Sequence, residues 1–179
     1  MHNADQYVTI LFKNSFFHDW ETQDLVALLN ACTERVYNAG EPLWTEGETS
    51  DGAFILLEGR VERTRTLRPN GQKVEQYAEP GTFLSLSSLP QPVAHSSSAN
   101  ALERTTVLAI SQRSFEELFE AQSPAAYRLV DAIASNLVKQ MREANTRLHQ
   151  VFGQPAETLR MLRRRMREEH APGPVDQDA

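Results

Sequence analysis

The sequence has a single cysteine, no long apolar run and no excess of positive charge. Because Cys32 is the only cysteine among 179 residues, the chain cannot form an internal disulfide. No apolar run reaches the length of about 18 residues that a membrane-spanning helix needs, and the N-terminus lacks the features of a secretion signal. The formal net charge of −6 argues against general binding to DNA or to anionic membranes, since polyanions repel an acidic protein. We therefore expect a cytoplasmic protein that binds neither DNA nor membranes.

The sequence also lacks the side-chain arrangements that catalysis and metal binding require. No pair of carboxylates, no nucleophile with a base and no glycine-rich phosphate loop occurs at a useful spacing. The five histidines are scattered along the chain, and Cys32 has no second cysteine to ligate a metal with it. We predict no catalytic residues, no metal site and no cofactor, and hence a protein that is not an enzyme.

Apolar periodicity divides the chain into a helical start, a strand-rich middle and a helical end. Residues 1–33 have helical spacing, and residues 34–110 consist of short runs separated by turn residues. Asn70-Gly71 predicts a β-hairpin between strands at Val61–Leu67 and Val74–Ala78. This order of elements predicts an α+β domain whose sheet packs on itself.

Two helices are predicted within residues 111–152. Ser114 to Glu117 has the spacing of a capping box, and Ser123-Pro124 marks the start of a second, long helix that ends before Gly153. The remaining residues, 153–179, comprise a short arginine-rich helix at about 156–170 and a tail predicted to be disordered.

The long helix carries one apolar stripe, at steps of three and four residues. The stripe contains Val130, Ile133, Leu137, Met141, Ala144, Leu148 and Val151. Such a helix either packs wholly on its own domain or pairs with a second copy of the chain. Because its far end would extend beyond a small domain, we predict a parallel homodimer.

Spaced motifs between Gly40 and Val61 carry a family resemblance. They are Gly40-Glu41-Pro42-Leu43, then Glu46-Gly47-Glu48, then Ser50-Asp51 before an aromatic and aliphatic run, then Gly59-Arg60-Val61. This pattern resembles the opening of a cyclic-nucleotide-binding domain. The resemblance covers about residues 11–151, and the long helix resembles the dimerisation helix of bacterial catabolite-activator-like regulators. It implies an antiparallel β-roll, or jelly roll, flanked by N-terminal helices and a long C-terminal helix.

The same resemblance implies a phosphate-binding cassette at about residues 81–100. In the family, a Gly-Glu-Leu segment binds the ribose through its Glu, and an Arg-Ser or Arg-Ala pair binds the cyclic phosphate through its Arg. Here the first segment is matched by Ser85, Leu86 and Ser87, and the second by His95 and Ser96, with Ser97 following. The Glu position therefore holds Leu86 and the Arg position holds His95. The alternative register, with Gly81-Thr82 over Gly-Glu, also lacks the acid. Losing two charged contacts costs roughly 3–6 kcal/mol, about two to four orders of magnitude in affinity.

Two functional hypotheses follow from these departures. In the first, the chain is a regulatory or scaffolding module whose pocket is filled by Leu86 and its neighbours and which acts through a protein partner. In the second, it is a sensor for a cyclic nucleotide or another small anion, bound by His95 and the serines around it. We favour the first, with no tight binding of cAMP or cGMP. The stretch after Val151 is too short for a winged helix-turn-helix, so no DNA binding is expected.

Overall fold

Helical segments precede the strands, as predicted. The computed structural model describes residues 4–50, 52–67, 71–152 and 160. Helix α1 (Ala4–Leu11) is followed by a 3-10 turn (Ser15–Phe17) and helix α2 (Thr22–Ala31). The Asn14 side chain begins the 3-10 turn by accepting a hydrogen bond of 3.0 Å from the Phe16 amide. Leu11, Phe17 and Leu25 are fully buried, so these segments contribute side chains to the hydrophobic core.

In the described part of the middle of the chain there are ten short strands. They are β1 (Cys32–Tyr37), β2 (Pro42–Trp44), β3 (Thr49–Ser50), β4 (Gly52–Glu58), β5 (Val61–Leu67), β6 (Gly71–Tyr77), β7 (Phe83–Leu84), β8 (Val93–Ala94), β9 (Ser98–Ala101) and β10 (Thr105–Ser111). Two four-stranded sheets have the orders β1-β10-β4-β7 and β2-β9-β5-β6, and β3 pairs with β8. Every pairing is antiparallel among the described strands, which confirms the predicted β-roll.

Strand β4 separates two apolar cores. Its side chains alternate, so Phe54 and Leu56 face one way and Ala53, Ile55 and Leu57 face the other. The inner core, between the two four-stranded sheets, consists of Leu43, Trp44, Phe54, Leu56, Val61, Leu84, Ala99, Ala101 and Val107. The helix-side core lies on the opposite face of β4 and β10, where α1 and α2 cover it.

The predicted hairpin is formed by β5 and β6. Their register runs from Val61 opposite Tyr77 to Leu67 opposite Gly71. The second strand therefore begins at Gly71, earlier than the predicted Val74. Asn70, the other residue of the predicted turn, lies outside the described residues.

Two helices follow β10 within the described residues. Helix α3 spans Gln112–Glu120 and α4 spans Pro124–Phe152, so the predicted start at Pro124 is confirmed. The predicted end before Gly153 is not tested, because Gly153 lies outside the described residues. The predicted capping box is wrong by one turn: the Ser111 side chain accepts a hydrogen bond from the Ser114 amide at 3.0 Å. Ser111 ends β10 in an extended conformation, which places its hydroxyl before the free amides of the first turn.

The chain divides into two units, residues 1–133 and 134–179. In the first unit, Ile133 of the predicted stripe is only 7% exposed and packs in the helix-side core. In the second unit, Leu137, Met141, Ala144 and Leu148 are exposed on α4. The side chain of Val151, the predicted arginine-rich helix apart from Arg160, and the tail lie outside the described residues. No helix within the described ranges is both long and apolar enough to cross a membrane.

Candidate functional site

The segment predicted as the cassette runs from β7 to β9 and turns sharply at Ser85. Ser85 has a left-handed backbone with φ of 59°, immediately before a 3-10 turn at Leu86–Ser88. A non-glycine residue in this conformation costs about 1–2 kcal/mol, so its surroundings must hold it there. The Ser85 hydroxyl lies 2.8 Å from the Ser88 hydroxyl and 3.3 Å from Nδ1 of His95.

The turn at Ser85 also decides where Leu86 points. Leu84 packs in the inner core, whereas Leu86 is 8% exposed and packs in the helix-side core. The prediction that Leu86 fills the pocket is therefore wrong. An aliphatic side chain at this position is stabilised by the apolar contacts of the helix-side core, which a carboxylate could not replace.

The His95 ring instead belongs to a group of three stacked rings. The Trp44 indole stacks on the His95 imidazole with ring centroids 4.7 Å apart and planes 14° from parallel. The indole also stacks on the Phe54 ring, with ring centroids 5.5 Å apart and planes 15° from parallel. Trp44 and Phe54 are 6% and 9% exposed. One face of the His95 ring is therefore covered by the Trp44 indole of the inner core.

The Trp44 ring is also fixed at its edge. Its Nε1–H donates a hydrogen bond of 2.8 Å to the main-chain carbonyl of Ser97. Sequence reasoning did not single out Trp44 or Phe54. The available signal for Phe54 was the alternation of β4, which places it on the same face as Leu56.

Main-chain pairing holds His95 against the loop between β2 and β3. The His95 amide donates to the Glu48 carbonyl at 2.8 Å, and the Gly47 amide donates to the His95 carbonyl at 2.9 Å. Burial lowers the pKa of His95 below its ordinary value of 6.5. The nearby Glu48 carboxylate raises this pKa but offsets only part of the effect of burial. The imidazole is therefore neutral at pH 7, unlike the permanently charged guanidinium that binds phosphate.

The remaining predicted residues of the pocket do not converge. Ser87 and Ser96 are exposed, and Ser97 is buried. The neighbouring Ser98 hydroxyl accepts a hydrogen bond of 2.9 Å from the Glu46 amide. Of the predicted set, the structure thus brings only Ser85 and His95 into side-chain contact. Within the part of the chain that the structure describes, no group of His, Cys, Asp and Glu is placed to hold a metal ion.

The lowered pKa of His95 predicts a pH-dependent stability. Because the folded chain binds this proton less readily than the unfolded chain, the free energy of unfolding is highest above the ordinary pKa of 6.5 and falls as the pH drops below it. Urea unfolding between about pH 8 and 5.5 measures this fall. His95→Phe should flatten the profile.

A matched variant tests the same balance in the opposite direction. Glu48→Gln keeps an oxygen that can accept from the Thr45 amide, as Glu48 does at 2.7 Å, but removes the charge that raises the pKa of His95. Its stability should fall more steeply with decreasing pH than that of the unaltered chain. Identical profiles for all three chains would contradict the role assigned to His95.

Comparison with known proteins places the middle of the chain in a known family. Residues 34–122 match the family model described as the cyclic nucleotide-binding domain. A curated protein, the cyclic AMP receptor protein of Thermus thermophilus, is 25% identical over 132 residues, which are 74% of this chain and 59% of that protein. The chain thus spans less than two thirds of the length of this relative.

Solved structures share the fold at lower identity. The catabolite activator protein of Thermus thermophilus superposes with a TM-score of 0.67 at 22% identity, over 77% of this chain and 63% of that one. The regulatory subunit of a cAMP-independent protein kinase A from Trypanosoma brucei has a TM-score of 0.62 at 16% identity, over 74% of this chain and 46% of that one. These similarities establish the α+β fold.

Proposed function

Since residues 34–122 belong to the cyclic nucleotide-binding domain family, we propose that this chain is a non-enzymatic regulatory or scaffolding module that does not bind cAMP or cGMP tightly. It acts through contacts with a protein partner. The observation that carries the proposal is the Phe54–Trp44–His95 stack, which occupies the space against residue 95. In the family, this position supplies the cation that binds the cyclic phosphate.

Two energetic terms oppose a cyclic nucleotide at this site. The two cassette positions hold Leu86 and His95 instead of a carboxylate for the ribose and a guanidinium for the phosphate, a loss of roughly 3–6 kcal/mol. A ligand that meets residue 95 on the side of Trp44 would also have to displace this side chain, which is held by two ring contacts and one hydrogen bond. Each ring contact contributes about 0.5–1.5 kcal/mol and the hydrogen bond about 1 kcal/mol.

The fold by itself does not decide between the two hypotheses. The neighbours include a cyclic AMP receptor protein and a kinase regulatory subunit that is cAMP-independent. Function therefore depends on the side chains at the site, because one fold serves several roles. Here these side chains are apolar or neutral, and this supports the module over the sensor.

Calorimetry and thermal-shift measurements with cAMP, cGMP and cyclic dinucleotides test the proposal. We expect no saturable binding with a Kd below about 1 mM, because the two charged contacts are missing. His95→Arg should remain a poor binder as well, since Trp44 still covers residue 95. Submillimolar binding that is lost in His95→Ala would contradict the proposal and favour the alternative, a sensor for a small anionic ligand.

We further propose that the module is a parallel homodimer formed through the exposed stripe of α4. Leu137, Met141 and Leu148 are 47%, 66% and 52% exposed, and they recur at near-helical spacing within the second unit. Exposed large apolar side chains in one stripe are typical of a surface that a partner covers. A second copy presents the same stripe, and parallel pairing matches like residues.

Light scattering measures this assembly directly. We expect the unaltered chain to have twice the monomer mass of 20.2 kDa, and Leu137→Glu and Leu148→Glu to have the monomer mass, because a charge buried between apolar stripes is costly. Gln140→Glu adds the same charge at another exposed position of α4 and should leave the dimer intact. Equal masses for all of these chains would contradict the proposed interface.

A further inference from the structure

The Trp44 side chain is held in the inner core in the way that proteins hold a planar ligand. The indole stacks on two rings, Phe54 at 5.5 Å and His95 at 4.7 Å between ring centroids. Its one polar atom, Nε1, donates to the Ser97 carbonyl at 2.8 Å. Ligand sites typically combine such apolar walls with a few polar groups that fix the orientation.

The three contacts come from two parts of the roll, strand β4 and the segment before β9. Phe54 belongs to β4, His95 lies between β8 and β9, and Ser97 immediately precedes β9. Trp44 itself ends β2, which pairs with β9. The slot around the indole is therefore built by the roll and does not consist of residues adjacent to Trp44 in the chain.

On the basis of the proposed function, we propose that Trp44 is the residue that excludes planar ligands from the roll, and that the slot its side chain fills is a latent binding site. The site would take a neutral planar bicyclic heteroaromatic compound with one N–H donor. Phe54 and His95 would stack on its faces, and the Ser97 carbonyl would accept its N–H hydrogen bond.

The preference for a neutral ligand follows from the walls of the slot. Burial lowers the pKa of His95, so the wall that it provides is uncharged at pH 7. The nearby Glu48 carboxylate disfavours an anion, and the Ser97 carbonyl, which accepts the indole hydrogen bond, would repel a second acceptor. A neutral aromatic ring with a single N–H donor is compatible with His95, with Glu48 and with the Ser97 carbonyl.

The test uses the full chain with Trp44→Ala and free indole as the probe. We expect removal of the side chain to leave a cavity of about the size of an indole, and engineered cavities of this size can bind aromatic rings. We expect millimolar indole to raise the Tm of the variant by several degrees and to leave the Tm of the unaltered chain unchanged. Indene, which has the same shape without the N–H, should bind about fivefold more weakly, as the loss of one neutral hydrogen bond implies.

Two outcomes would overturn the inference. One is an equal effect of indole on the variant and on the unaltered chain, which would mean that Trp44 excludes nothing. The other is no binding of indole to a folded Trp44→Ala chain. Trp44→Phe serves as the control, because it keeps a ring in the slot and should take up little indole.

A second measurement does not depend on the folding of the cavity variant. In Trp20→Phe, Trp44 is the only remaining tryptophan of the chain. Its emission should be blue-shifted and quenched by acrylamide at least tenfold less than that of free tryptophan, since only 6% of the side chain is exposed. Quenching close to that of free tryptophan would contradict the burial of Trp44 and therefore the proposed slot.

The results also separate this inference from the proposed function. Tight binding of cAMP by the unaltered chain overturns the proposed function. If the unaltered chain binds no nucleotide and a folded Trp44→Ala chain takes up no indole, only the latent site is overturned.

Discussion

Replacing Trp44 by alanine is expected to lower the free energy of unfolding by about 3–5 kcal/mol, the usual cost of removing a buried large aromatic side chain. The substitution deletes an indole that is 6% exposed and stacks on two other rings. It also leaves the Ser97 carbonyl without the donor that it contacts at 2.8 Å. Urea unfolding followed by circular dichroism at pH 7 measures the change.

Trp44→Phe separates the ring contacts from the hydrogen bond. A phenyl ring preserves most of the stacking on Phe54 and His95 but has no N–H for the Ser97 carbonyl. We expect a loss of about 1–3 kcal/mol for this variant, between the unaltered chain and Trp44→Ala. If Trp44→Ala cost less than about 1 kcal/mol, the indole would not be packed as described.

Gly59→Ala is expected to cost about 2–6 kcal/mol in the free energy of unfolding, because backbone strain and overpacking add. Gly59 lies in the turn between β4 and β5 and has a φ of +92°. Residues other than glycine rarely adopt this backbone conformation. A Cβ there would lie 2.6 Å from the Arg104 carbonyl oxygen and 2.7 Å from Cα of Thr105. Both are main-chain atoms at the start of β10, so relief requires the strand to move.

Gly47→Ala is the matched control for this prediction. Gly47 has nearly the same φ, +91°, but no atom lies within 4 Å of a Cβ added there. Only the backbone strain remains, about 1–2 kcal/mol. Urea unfolding of both variants should therefore give a clearly larger loss for Gly59→Ala. Equal losses would mean that the close approach to β10 contributes nothing.

Spaced motifs and apolar periodicity predicted most of the fold. The apolar run of β4 and the hairpin of β5 and β6 carry strong local signals, and both were predicted. Strand β9 (Ser98–Ala101) was not, because serine and asparagine favour turns and its alanines are small. It is a strand because it pairs with β5 on one side and β2 on the other. Strands of two residues, such as β3 and β8, are too short for any periodicity.

The orientation of the side chains in the predicted cassette did not follow from the sequence. Alignment with the family placed Leu86 at the carboxylate position, but it carried no information about the left-handed backbone of Ser85 that directs Leu86 into the helix-side core. Trp44 and Phe54 were missed for a different reason. Each looks like an ordinary core aromatic in the sequence, and only the closure of the roll brings both rings into one stack with His95.

Strand β4 contributes one face to each of the two apolar cores, and this limits how its sequence can change. A shift of the whole strand by one residue would exchange its two faces, sending Phe54 and Leu56 toward the helices and Ala53, Ile55 and Leu57 inward. Both cores would lose contacts at once. We therefore expect β4 to tolerate substitutions more readily than changes of length.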